Sequence, residues 1–174
     1  MRPAAIIIMG VSGSGKSTIG ALLAERLGWP FADADGFHPA ANVAKMASGQ
    51  PLTDEDRWPW LDAIAAHIGA ARKAGRPVVV ACSALRRAYR DRLRAGHGDL
   101  LFLHLSGAPA VIAARQAARQ GHFMPPSLMA SQFATLEDIS DEPDALAVSV
   151  AAEPQAVVDA AMTALSPFGL TAGP

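Results

Sequence analysis

The chain has 174 residues, 51% of them hydrophobic and 18% charged, which suits one domain with a sizeable core. Lys and Arg number 15 against 16 Asp and Glu, so the net charge of -1 excludes a polybasic nucleic-acid or membrane-surface footprint. No stretch approaches the ~20 apolar residues of a membrane span, residues 4–9 are too short for a signal-peptide core, and the single cysteine, Cys82, cannot form an internal disulfide; a soluble, cytoplasmic protein is expected.

In chain order, Ala4–Met9 is a short apolar run of β type, and Ser17–Leu27 carries Ile19, Leu22, Leu23 and Leu27 on one helical face. Between them stands Gly10-Val11-Ser12-Gly13-Ser14-Gly15-Lys16-Ser17, a full match to the phosphate-binding pattern G-x-x-x-x-G-K-[ST]. Trp29–Ala34 predicts a second strand, ending in Asp33-Ala34-Asp35-Gly36. A helix follows over about 41–48, and a longer one over about 56–74 with Asp56 as N-cap and Pro59 in the first turn, where a missing N–H is harmless. Pro77–Cys82 is apolar throughout, as a buried parallel strand should be. Helix is expected over 85–95, strand over 100–105, helix over 109–120 and, after a break at 121–126, helix over 127–136. Strand over 146–150 and helix over 154–165 complete the alternation, and residues 166–174, with two prolines and two glycines, are expected to fray. Five strands alternating with helices predict an α/β fold: one domain over 1–174 with a five-stranded parallel sheet flanked by helices, and a mobile lid over about 115–133.

The phosphate loop has a mechanical reading at each position. The glycines let backbone N–H groups face an anion, Lys16 reaches the β- and γ-phosphates, and Ser17 suits Mg²⁺. ATP and Mg²⁺ are therefore the expected cofactors. A GTPase would read guanine with Asn-Lys-x-Asp, but Asn42, the only asparagine, precedes Val43. The apolar run at 78–81 ends in Cys82-Ser83 rather than Asp, so Asp33 is the nearest carboxylate for the metal. Asp35, two residues on along an extended chain, can share its side and face an acceptor hydroxyl. Arg115 and Arg119, four apart on one helix face, would carry positive charge onto a triphosphate. This set suits a small kinase, which needs positioned phosphates, screening cations and an acceptor site. On these residues alone the acceptor stays open between a small polyol acid and a nucleotide, and a nucleotide-binding regulator without transfer stays open too. Cys82, His67 and His104 read as packed residues, and Trp60 as core or as a pocket wall.

Further segments carry a more specific likeness. They are Asp35-Gly36-Phe37-His38-Pro39, Asn42 with Lys45-Met46, Gly49 to Arg57 with Pro59-Trp60-Leu61, Ala81-Cys82-Ser83-Ala84-Leu85-Arg86-Arg87 with Tyr89-Arg90-Asp91, Gly121-His122-Phe123-Met124, and Ser131-Gln132-Phe133 with Leu136-Glu137. Together with the phosphate loop they run in order from residue 9 to 137, and on them the chain resembles the gluconate kinase family. The resemblance implies the nucleoside-monophosphate-kinase-like fold shared with shikimate kinase, transfer of phosphate from ATP to the 6-hydroxyl of D-gluconate, and a homodimer. It implies that Gly13, Ser14, Gly15, Lys16, Ser17 and Thr18 hold ATP and Mg²⁺, and that Asp35 orients or deprotonates the hydroxyl. His38, Lys45, Arg57, Ser83, His122 and Gln132 would contact gluconate, and Arg115 and Arg119 would close over the phosphates. Ala40-Ala41 replaces basic residues of relatives, and Asp138-Ile139 replaces an acidic-proline turn.

Overall fold

A computed structural model describes residues 2–118 and 126–174. Its five strands are β1 (Ala5–Met9), β2 (Phe31–Asp33), β3 (Val78–Ala81), β4 (Leu100–Ser106) and β5 (Ala145–Ser149). They form one sheet in the order β2-β3-β1-β4-β5, with every pairing parallel. The alternation seen in the sequence thus produces the expected sheet. β1 lies at its centre, between β3 and β4, so its carboxyl end opens where the chain order switches sides, the place where such sheets bind ligands.

The helices are α1 (Lys16–Leu27), α2 (Ala40–Ala47), α3 (Asp54–Lys73), α4 (Arg87–Arg94), α5 (Pro109–Ala118), α6 (Pro126–Thr135) and α7 (Pro154–Leu165). Successive β1 side chains point to opposite faces. Ile6 and Ile8 join Leu23, Leu27, Val158 and Leu165 under α1 and α7, whereas Ile7 and Met9 join Leu61, Ile64, Tyr89 and Leu93 under α3 and α4. Both faces are thereby dry, which is why β1 and β3 contain no polar residue.

Three local expectations are corrected. α3 starts at Asp54 with Thr53 as its N-cap; Asp56 is the reciprocal partner of a capping box, its backbone N–H donating to Thr53 Oγ1 and its carboxylate accepting from the Thr53 N–H. Pro59 consequently lies inside the helix rather than in its first turn, and the Glu55 carbonyl loses its usual helical donor. The tail does not fray: Ser166–Phe168 forms a 3₁₀ turn, Leu170 is buried in the core, and the Gly173 N–H donates to the Arg26 carbonyl at 2.9 Å. Its two glycines and two prolines shape a docked segment, because Leu170 supplies the apolar anchor that composition alone did not weigh. Among the described residues no helix is long and apolar enough to cross a membrane.

Candidate active site

The loop between β1 and α1 is built for an anion. Gly10, Gly13 and Gly15 have φ of 148°, 81° and 95°, conformations that favour glycine. A Cβ on Gly13 would stand 2.5 Å from Gln116 Oε1, so the space there is closed to a side chain. Gly15 is the N-cap of α1, no side chain caps that helix, and its first turn holds no acidic residue. The start of a helix has amides without intrahelical acceptors and a dipole that favours negative charge, which suits a phosphate there. Lys16 Nζ donates to the Val11 carbonyl at 3.1 Å, folding its ammonium back along the loop.

Ser17 Oγ donates to Asp33 Oδ2 at 2.6 Å, and Asp33 Oδ1 accepts from the Asp35 N–H at 2.9 Å. The second bond makes Asp33 the cap of the short 3₁₀ turn Ala34–Phe37, which fixes where Asp35 projects. The carboxyl end of β3 supplies Ser83, whose carbonyl accepts from the Gly10 N–H at 3.2 Å. Helix α6 supplies Gln132, whose Oε1 accepts from the Ser12 N–H at 2.5 Å. Gly13, Lys16, Ser17, Asp33, Asp35, Ser83 and Gln132 line a single cavity of about 430 Å³. Sequence reasoning named all seven, and the fold gathers them from four segments.

A smaller cavity of about 180 Å³ lies on the far side of the loop, lined by Gly13, Gly15, Thr18, Arg115 and Pro154. Arg115 Nη2 donates to the carbonyls of Val150 and Ala152, tying α5 to the loop after β5. Arg115 thus shares this cavity with Gly13 and Gly15 of the phosphate loop. Arg119 and His122, the other expected lid contacts, lie outside the described residues, as does the whole of 119–125 in the expected lid.

The remaining acceptor candidates sit on a neighbouring arm. His38 stacks on Trp60 with ring centroids 4.3 Å apart, and Asn42 Nδ2 lies 3.3 Å from its Nδ1. Burial lowers the pKa of His38 below its ordinary 6.5, with the Asp35 charge opposing and Arg57 reinforcing the shift, so the ring favours its neutral form. Trp60 is itself nearly buried, its Nε1 donating to the Ala34 carbonyl at 2.7 Å, so it supports the 3₁₀ turn that carries Asp35. Lys45 forms a 2.5 Å ion pair with Asp56, and that hydrogen bond, with the Thr53 N–H, holds the Asp56 carboxyl down to about 2. Arg57 Nη1 donates to Tyr89 Oη at 3.2 Å and stands 3.6 Å from Asp54. The lining of the main cavity does not include His38, Lys45 or Arg57. Cys82 does line it, but burial pushes its thiol up to about 12, which removes it as a nucleophile.

Two residues escaped the sequence reading. Gln116 is buried against Gly13, and its Oε1 has no hydrogen-bond partner among the described residues. Arg90 was seen only as part of a matching segment, yet its side chain is fully buried, paired with Glu142. Nothing in a single sequence separates either from an ordinary helical surface residue.

A family model described as an AAA domain matches residues 6–141. The gluconokinase of Gluconobacter oxydans (strain 621H) is 45% identical over 159 residues, covering 91% of this chain and 89% of that protein. The chain belongs to the gluconokinase family. The crystal structure of a gluconokinase from Sinorhizobium meliloti 1021 matches with a TM-score of 0.87 at 47% identity, covering 97% of this chain and 95% of that one. Shikimate kinase from Aquifex aeolicus vf5, at 16% identity and a TM-score of 0.62, shares the fold. The α/β architecture expected of a gluconokinase is thus the one observed.

Proposed function

We propose that the protein transfers the γ-phosphoryl group of ATP to the 6-hydroxyl of D-gluconate, giving 6-phospho-D-gluconate and ADP. The observation that carries this reading is the single cavity in which a phosphate cradle meets Asp35, Ser83 and Gln132. A linear sugar acid presents one carboxylate and many hydroxyls, and such a ligand calls for a cation and several hydrogen-bonding side chains. Arg57 is the better carboxylate partner, because both its contacts run through Nη1, whereas Lys45 is drawn into the capping box of α3. His38, Ser83, Gln132 and His122 are assigned to hydroxyls.

In the transfer, the acceptor oxygen forms a bond to the γ-phosphorus while the bond to the β,γ-bridging oxygen breaks. Asp35 takes the hydroxyl proton, and Lys16 and the α1 amides stabilise the charge gathering on the phosphates. Ser17 and Asp33 offer a hydroxyl and a carboxylate, hard oxygen donors already converged, and would hold Mg²⁺ directly or through water. Bound Mg²⁺ would neutralise phosphate charge there. Thr18, Arg115 and Pro154 line the space assigned to the nucleoside end, and Arg119 is assigned to the phosphates. Residence in the cytoplasm and a homodimer belong to the same proposal.

The test is ADP release with Mg·ATP, comparing D-gluconate with shikimate, other sugar acids, sugars and nucleoside monophosphates. Selective turnover with gluconate is expected. Turnover on another acceptor alone would leave the phosphate chemistry intact and overturn the acceptor assignment. Light scattering on the purified protein tests the dimer.

A further inference from the structure

Arg90 is the one arginine whose side chain is fully buried among the described residues, and the transfer chemistry does not use it. It rises from α4 and spends its N–H groups on three stretches of chain. Nη1 donates to the carbonyls of Ala84 and Leu85 at 2.8 and 3.1 Å, and Nη2 to those of Glu137 and Asp138 at 3.3 and 3.4 Å. Nε and Nη2 also engage the Glu142 carboxylate at 3.0 and 2.6 Å. The first pair of carbonyls belongs to the turn that leaves β3 immediately after Ser83. The second belongs to the loop that follows α6, the helix bearing Gln132. The Glu137 N–H reaches back to the Leu85 carbonyl at 2.8 Å, so the two stretches also touch directly.

The turn needs holding. Ala84 has φ of +46°, a left-handed conformation that a residue with a Cβ rarely adopts. Its neighbour Ser83 faces the cavity, and the Ser83 carbonyl receives the Gly10 N–H at the start of the phosphate loop. Relaxation of Ala84 toward an ordinary φ would swing Ser83 out of the cavity wall and loosen that contact.

We propose that Arg90 is a positioning residue for phosphoryl transfer: its guanidinium clamps the strained Ala84 turn to the loop after α6, and so holds Ser83 and Gln132 together in the wall of one acceptor site. A planar fork with five donors meets this geometry; an ammonium with three does not. The inference rests on the gluconokinase reading above.

The test uses the wild-type protein, Arg90→Lys and the double variant Arg90→Lys/Ala84→Gly, with kcat, KM for gluconate and for ATP, and Tm measured for each. Failure of the wild type on gluconate would remove the functional reading, independently of Arg90. With an active wild type, Arg90→Lys is expected to lose on the order of 10-fold or more in kcat with a smaller change in KM for ATP, since the loop loses at most its contacts to Ser83 and Gln132 and keeps its glycine geometry and the start of α1. Glycine adopts the left-handed turn without help, so the double variant is expected to regain most of the lost kcat. A folded Arg90→Lys protein with kcat near wild type and only a lower Tm would overturn the proposal. So would a slow single variant that Ala84→Gly fails to rescue. Should Arg90→Lys not fold, the double variant is expected to fold and turn over gluconate; a double variant that is unfolded or inactive would equally overturn it.

Discussion

The phosphate half of the cavity comes from one run, Gly10–Ser17, and offers mostly backbone; the acceptor half is drawn from the end of β2, the end of β3 and α6, with the His38–Arg57 arm outside the cavity lining, and offers side chains. The first half depends on φ values only glycine tolerates and on a helix start left uncapped, so it is nearly complete before any ligand arrives. The second half pairs its charges internally: Lys45 with Asp56, Arg57 with Asp54, His38 against Trp60. Phosphate recognition is thus preorganised, while recognition of a sugar acid has to compete with partners the protein already supplies. Changes in the first half should damage transfer with any acceptor, and changes in the second should discriminate between acceptors.

The largest effect is expected for Lys16→Ala, with loss of turnover on the order of 10³-fold and weaker ATP binding, read by steady-state kinetics and nucleotide titration. An unchanged ATP dependence would contradict the role of the loop. Asp35→Asn should lower kcat by on the order of 10²-fold with ATP affinity little altered, because proton acceptance is lost and the cradle is not. Near-normal turnover in that variant would remove Asp35 from the chemistry. Arg57→Ala and Lys45→Ala sharpen the comparison within the arm. The former is expected to raise KM for gluconate by about 10-fold, the scale of a lost charge-assisted hydrogen bond. The latter should chiefly lower Tm by removing the ion pair to Asp56, and the reverse pattern would exchange their roles.

The smallest effect is in pH dependence. Burial lowers the pKa of His38, so as pH falls below 6.5 the unfolded chain takes up a proton before the folded one does. That contribution to stability is present in full above 6.5 and is lost on acidification toward the folded pKa. Because burial and the nearby Arg90 charge lower His104 as well, the decisive quantity is a difference. His38→Gln should lose less Tm than wild type between about pH 7.5 and about pH 5.5, and parallel curves would assign the slope to His104.

What the sequence made legible follows the same division. The β1–loop–α1 unit was readable because its causes are contiguous: an apolar run, glycines at fixed spacing, and one helical face. Helix α7 fell on its expected bounds for the same reason, with Pro154 at its start and a clear apolar face. Asp33, Asp35, Ser83 and Gln132 could be nominated, but their convergence depends on sheet order and on Asp33 capping the next turn. The start of α3 differs from the expected one because Thr53 and Asp56 act reciprocally, and either residue type alone suits an N-cap. For Arg115, i, i+4 spacing says nothing about its hydrogen bonds to the carbonyls of Val150 and Ala152, which depend on the loop after β5. Arg90 looked like one more arginine in an arginine-rich helix, and its burial depends on Glu142, 52 residues away.

The burial of Cys82 has a practical consequence. It is the only cysteine in the chain, and with its thiol pushed up to about 12 it presents almost no thiolate near neutral pH. A cysteine introduced at exposed Val43 on α2 would therefore be the sole group open to a maleimide dye, with no background to engineer away. Fluorescence from that site, followed while gluconate and ATP are added separately and together, would time the movement of the acceptor arm against the filling of the phosphate cradle.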